Sequence, residues 1–276
     1  MDFIPFLPLN TVASSEVGLV NVTNEAGMYK VTVEAQGQDI PVYVTPDGKY
    51  YTLTLSPISQ EVSTTSSDTA VQENIPQTAK PKVELYVMSF CPYGVKAENN
   101  ILPVLDLLKD KIDFKVRFIV NVNGNTINDT SSLHGLEEAK EDARQLIIMK
   151  DYASKFNDYL KQFNEKCYQY SQDAANLDKC WKEVATSLGM NVKSIETAAY
   201  GTEGVNLLKE EASASGSNGI SGSPTLLING VQSSSIYSGT DATQQAICSA
   251  FNSAPSECGT KVASNSTTDA PAGSCG

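Results

Sequence analysis

The chain has 276 residues, enough for one sizeable domain and a smaller one, and 20 Lys+Arg against 32 Asp+Glu give it a formal net charge of −12. Its basic residues are scattered, which argues against nucleic acid and against an anionic membrane surface as partners. There is no apolar run of the roughly 18 residues a spanning helix needs. The opening Met1-Asp2-Phe3-Ile4-Pro5-Phe6 has neither the basic region nor the apolar length of a signal peptide, which leaves a cytosolic protein or one whose export signal or anchor is missing from this sequence.

Residues 1–16 read as a lead-in. From Tyr29 onward, Val31, Val33 and Ala35 alternate with polar residues, then Ile40, Val42 and Val44, then Tyr51, Leu53 and Leu55. Period-two alternation marks half-buried strands. The strands are punctuated by Gln36-Gly37-Gln38-Asp39 and by Pro46-Asp47-Gly48, where Pro suits position i+1 and Gly accepts positive φ. Residues 1–56 are thus a small antiparallel β meander, with 17–22 as a candidate extra strand. About 40 residues bury little alone, so the meander should pack on the main domain or on a second copy of itself. Residues 57–82 are rich in Ser, Thr, Gln and Pro and read as a flexible linker.

The main domain is read over 83–258. An apolar β-prone run, Val83-Glu84-Leu85-Tyr86-Val87-Met88, leads through Ser89-Phe90 into Cys91, Pro92, Tyr93 and Gly94, where a helix over about 94–109 starts, with Pro103 inside it. A thiol at a helix N-terminus faces unpaired N–H groups and the positive end of the helix dipole, and both favour the nucleophilic thiolate. Phe114, Val116, Phe118 and Val120 form the next strand, completing a βαβ unit. Residues 121–132 read as an exposed loop. A helical region follows over about 133–217, with apolar stripes such as Tyr152, Phe156, Leu160 and Phe163 and Leu177, Trp181, Val184 and Leu188. Glu137, Glu138, Glu141 and Asp142 read as its solvated N-terminal face. After Gly222-Ser223-Pro224, residues 225–228 form a short strand, Asn229-Gly230 a hairpin turn and 231–237 the return. Thr240 or Asp241 caps a last helix with Gln244 completing the cap, and 259–276 is a disordered tail carrying Cys275.

The six cysteines, Cys91, Cys167, Cys180, Cys248, Cys258 and Cys275, form no C-x-x-C, which argues against a zinc ribbon, and with His134 as the sole histidine a Cys/His zinc site is poorly supplied. Cys167 with Cys180 and Cys248 with Cys258 flank short polar segments and read as two local structural disulfides, hence an oxidising compartment. Buried free thiols are the alternative.

The order of these elements resembles the thioredoxin-like superfamily, specifically its DsbA-like thiol-disulfide oxidoreductase branch. Cys91-Pro92-Tyr93-Gly94 is similar to that family's Cys-Pro-x-Cys except at its last position, and Gly222-Ser223-Pro224-Thr225 to its cis-proline loop. Ser132-Leu133-His134-Gly135 is more weakly similar to the signature of gamma-interferon-inducible lysosomal thiol reductases, and the front meander to the dimerisation region of DsbC-type isomerases. The resemblance implies an α/β thioredoxin-like fold with a helical insertion. It implies a nucleophilic Cys91 shaped by Pro92, Tyr93 and Gly94, and a substrate backbone held by Ser223, Pro224 and Thr225. No metal or organic cofactor is implied. The expected function is an extracytoplasmic thiol-disulfide oxidoreductase or isomerase acting on protein disulfides, periplasmic, cell-surface or secreted. Its partners would be protein thiol or disulfide substrates and an external thiol, with a homodimer through the N-terminal domain as an option. Because Gly94 replaces the resolving cysteine, an external thiol, Cys275, or no resolution at all remain open. The alternative is a redox-inactive binding or chaperone module on the same scaffold.

Overall fold

A computed structural model describes residues 18–25, 27–35, 38–52, 74–262 and 273–276. The expected lead-in, the strand positions Leu53 and Leu55, most of the linker and residues 263–272 of the tail lie outside the described residues. The chain divides into two units, Met1–Ala70 and Val71–Gly276.

The first unit is an antiparallel sheet in sequence order: β1 (Gly18–Glu25), β2 (Met28–Ala35), β3 (Gln38–Val44) and β4 (Tyr51–Thr52). The extra strand expected at 17–22 is therefore real and longer. Register places Val22 beside Val31 and Val31 beside Val42, and sets Tyr29, Val44 and Tyr51 in a second row, so the alternating valines line one face. The turn between β3 and β4 forms because the Asp47 carboxylate accepts from the Thr45 hydroxyl (2.5 Å) and the Lys49 N–H (3.1 Å), while Gly48 takes a φ of 68°.

The second unit is built on a four-stranded sheet of order β10-β9-β5-β6, comprising β5 (Lys82–Val87), β6 (Asp113–Phe118), β9 (Thr225–Ile228) and β10 (Val231–Ser233). β5 and β6 run parallel through α1 (Pro92–Leu108), and β9 lies antiparallel to β5. The central strands are apolar because both faces are covered: Val83, Leu85, Val87, Leu226 and Ile228 are fully buried. α7 (Thr240–Ser249) follows β10. This βαβ…ββα arrangement is the thioredoxin-like fold, and the helical insertion sits between β6 and β9.

The insertion comprises α2 (Leu136–Asp151), α3 (Phe156–Lys166), α4 (Ala174–Ser187), α5 (Val192–Tyr200) and α6 (Thr202–Ser217). α3 packs on α1 and α6 on β6. Trp181, Phe163, Tyr159 and Leu160 are buried at its centre, and the Arg144 guanidinium lies 4.9 Å from the Trp181 ring. Cys167 and Cys180 are joined (2.04 Å), as are Cys248 and Cys258 (2.01 Å).

Three local expectations need correcting. Residues 121–132 are not merely loop: β7 (Asn121–Val122) pairs with β8 (Thr130–Ser131), and Asp129 caps the turn between them through the Asn125 and Thr126 N–H groups. The cap of α7 is Gly239 at φ 91°, which leaves the Thr240 hydroxyl to donate to the Asn100 carbonyl and Gln244 to the Thr260 carbonyl. The C-terminal end of the expected linker is fastened. Asn229 accepts from the Lys82 N–H (2.8 Å) and donates to the Pro76 carbonyl (2.6 Å), and Thr78 bridges Phe251. The same Asn229 takes φ 50° to make the β9–β10 turn, so one turn residue also receives the incoming chain.

Candidate active site

Cys91 ends the loop after β5 and is the N-cap of α1, with extended backbone (φ −71°, ψ 120°). Pro92 occupies the first helical position, where its fixed φ is suited and its missing N–H costs nothing. The Gly94 N–H points at the Cys91 sulfur from 3.4 Å, using an otherwise unsatisfied helix-start donor as a sulfur ligand.

The loop before β9 faces it. The Ser223–Pro224 peptide is cis, and Pro224 and Ser223 are buried. The Ser223 carbonyl lies 3.4 Å from the Cys91 sulfur, and the Ser223 hydroxyl accepts from the Met88 N–H at 3.0 Å. Thr225 donates to the Gly222 carbonyl (2.7 Å), and Tyr237 donates to the Pro224 carbonyl (2.5 Å). Of the residues proposed from sequence, Cys91, Tyr93, Gly94, Ser223 and Pro224 converge here, Thr225 braces the loop from behind, and Pro92 is exposed at the rim.

The tail residue expected to be loose is docked. Cys275 is bonded to Cys91, with Cα atoms 6.0 Å apart. Its backbone forms an antiparallel bridge with Ser223, each N–H donating to the other's carbonyl at 2.8 Å. Cys91 is fully covered in this state. Beside the disulfide opens a groove of about 720 Å³ lined in part by Met88, Ile119, Val122, Leu133, Ile220 and Gly276.

The geometry also explains why position 94 is glycine. A Cβ there would stand 2.6 Å from the Ser223 hydroxyl oxygen and 3.2 Å from the Met88 carbonyl. The serine hydroxyl fills the space a second motif cysteine would need. Gly94→Cys is therefore expected to cost about 1–3 kcal/mol of overpacking. Denaturant unfolding of the reduced proteins measures this, and an unchanged midpoint would show that the space exists.

A layer of buried carboxyls beneath the loop escaped the sequence reading. Glu138, Glu141 and Asp142 of α2 are fully buried rather than solvated, and only Glu137 of the cluster forms a partly exposed pair, with Lys140. Glu138 accepts from the Phe90 N–H (2.6 Å), the residue before Cys91, and from the His134 N–H (2.9 Å), with the His134 ring Nδ1 at 2.8 Å. Asp142 accepts from the Ser89 hydroxyl (2.6 Å) while its second oxygen has no hydrogen-bond partner. Burial, then the charge of Glu138, pushes the Asp142 carboxyl well above the ordinary range. One turn along α1 from Gly94, Glu98 is pushed up to about 8 by burial, against a hydrogen bond from Asn164 (2.8 Å). Glu141 is matched by Arg144, Gln145 and Tyr159. Glu138 thus bonds both His134 and the loop. A usable signal was present: positions 138, 141, 142 and 145 recur at helical spacing on a helix whose other face, Ala139, Ala143, Leu146 and Ile147, is also buried.

No protein-family model and no curated protein matches the sequence. Among solved structures, the chain is similar to a disulfide bond oxidoreductase, DsbG, from Mycobacterium tuberculosis, at 15% identity and a TM-score of 0.47, covering 67% of this chain and 87% of that one. It is similar to DsbA from Pseudomonas aeruginosa at 14% identity and TM-score 0.43, covering 62% and 83%. It is also similar to oxidised BdbD from Bacillus subtilis at 15% identity and TM-score 0.45, covering 63% and 90%.

Proposed function

We propose that the chain is a thiol-disulfide oxidoreductase acting on protein disulfides, with Cys91 as nucleophile and Cys275 as the resolving thiol that Gly94 cannot provide. The bond from Cys91 at a helix N-cap to a backbone-paired Cys275 is the observation that carries this reading. When reduced, the Cys91 thiolate is favoured by the helix start and the Gly94 N–H, so its pKa should fall below the free value of roughly 8.5. It attacks a client disulfide, forming a Cys91–client disulfide and releasing one client thiolate. The Cys275 thiolate then attacks the Cys91 sulfur, the second client thiolate leaves, and the Cys91–Cys275 bond re-forms. An external thiol returns the pair to the dithiol, or an external oxidant reverses the flow. No metal or organic cofactor takes part.

An extracytoplasmic setting is supported by the pairing of all six cysteines. Among the described residues no helix is long and apolar enough to cross a membrane. The first unit is assigned to homodimerisation, because its single sheet leaves Leu19, Val22, Tyr29 and Tyr51 between 41% and 67% exposed. Light scattering should give a dimer mass that Val22→Lys lowers to a monomer's, and a monomeric native protein removes this part of the reading.

The test of function is a glutathione redox titration with alkylation and mass mapping. Cys91 and Cys275 should titrate together while Cys167–Cys180 and Cys248–Cys258 stay oxidised, and Cys91→Ser should abolish insulin reduction. If Cys91→Ser is as active as the native protein, or Cys91–Cys275 resists reduction like the other two pairs, the redox-inactive scaffold is the better reading.

A further inference from the structure

Resting on Cys91 as the exchanging thiol, we infer that the chain reads its clients by sequence: Gly273–Gly276 sits as a client strand would, and the Tyr93 ring restricts clients to those with glycine two positions before the reacting cysteine. The docked segment makes both main-chain hydrogen bonds to Ser223 and places its sulfur on Cys91, which is how an extended chain adds to an open strand edge. Its neighbours are not treated alike.

Two positions before the cysteine, a Cβ on Gly273 would stand 3.0 Å from the tip of the Tyr93 ring and 3.3 Å from two further ring carbons. Tyr93 is half-buried in the first turn of α1, with exposed Pro92 before it and buried Gly94 after it. Its backbone is fixed, and only the ring can give way. Even a Cβ here requires the ring to give by a few tenths of an ångström, and a branched side chain requires more. One position before the cysteine there is no such limit: Ser274 is exposed. One position after it, Gly276 has φ 100°, and a Cβ there would stand 2.2 Å from the Ser221 carbonyl. A chain seated this way therefore reads glycine, any residue, cysteine, glycine.

The protein's own cysteines fit this filter. Glu165, Asp178, Ala246 and Ser256 stand two positions before Cys167, Cys180, Cys248 and Cys258; only Cys275 has a glycine there. The client class is thus an extended, glycine-flanked cysteine segment, and the protein's own C-terminal segment competes for the seat.

The test uses full-length Cys275→Ser protein, reduced at Cys91 only, and short peptides as mixed disulfides with thionitrobenzoate. Cys91 attacks the peptide sulfur, the peptide becomes disulfide-bonded to Cys91, and the thionitrobenzoate thiolate leaves as the better leaving group. Ala-Gly-Ser-Cys-Gly should form the adduct about tenfold faster than the same peptide with valine in place of glycine at the second position. Replacing its serine by leucine should leave the rate unchanged. Tyr93→Ala should erase the glycine–valine ratio and Tyr93→Phe should keep it, whereas a purely structural role for the ring would slow both peptides alike. Equal rates for the glycine and valine peptides, with the Cys91 adduct visible by mass, overturn the specificity alone. Absence of any adduct overturns the catalytic reading and the specificity with it.

Discussion

Cys275→Ser is expected to stall the protein as a covalent complex and to slow resolution of the Cys91–client disulfide roughly hundredfold. In the docked state Cys275 is held by Ser223 and bonded to Cys91, so the two sulfurs are already in bonding position. A thiol on the same chain acts at an effective concentration on the order of 1 mM. With external thiol near 10 µM, resolution of the Cys91–client bond would be slower by about the ratio of the two. The measurement is insulin reduction under limiting thiol, with non-reducing mass analysis of trapped species. The variant should accumulate adducts at Cys91, and raising external thiol to millimolar levels should restore its rate. If Cys275→Ser turns over as the native protein does at low thiol, Cys275 is not the resolving group.

The second large effect is on stability. Glu98 is held neutral by burial, its carboxyl pushed up from 4.5 to about 8. Between these values the folded chain keeps a proton that the unfolded chain has released. The native state then binds more protons, and unfolding free energy falls as pH rises through that window, by up to about 1.4 kcal/mol per pH unit. Asp142, pushed in the same direction, adds to the slope. The contribution is complete below the unfolded value and lost above the folded one. Glu98→Gln keeps an amide able to meet Asn164 and carries no proton to lose, so its stability should be flatter between pH 5 and pH 8 and should exceed the native protein's at pH 9. Urea midpoints across that range decide it; parallel profiles for the two proteins would mean that Glu98 is not held neutral.

The parts of this molecule that could be read from the chain are those where local chemistry and tertiary structure agree. The run from Val83 to Met88 is apolar at every buried position but Glu84, Pro92 can only begin a helix there, and Asn229-Gly230 can only turn. The insertion was legible as helices because its stripes are long. What failed was local reading of residues whose roles are tertiary. Glu138 and Asp142 look like a solvated helix start, and they are buried because α2 supplies acceptors to Ser89 and Phe90, 53 and 48 residues earlier. Thr240 looks like a cap, yet its hydroxyl is drawn to Asn100, 140 residues away. Cys275 stands among small, polar residues that predict no order, and its place is set by pairing with Ser223. At Gly94 the resemblance implied a missing cysteine, while only the structure shows the Ser223 hydroxyl standing in that space.

With every cysteine already paired, the protein isolated in air offers a thiol-alkylating reagent nothing to label. A survey for reactive cysteines would pass it over. Brief exposure to a mild reductant should unmask two sulfurs and leave four, so its chemistry becomes visible only to an assay that begins by reducing it.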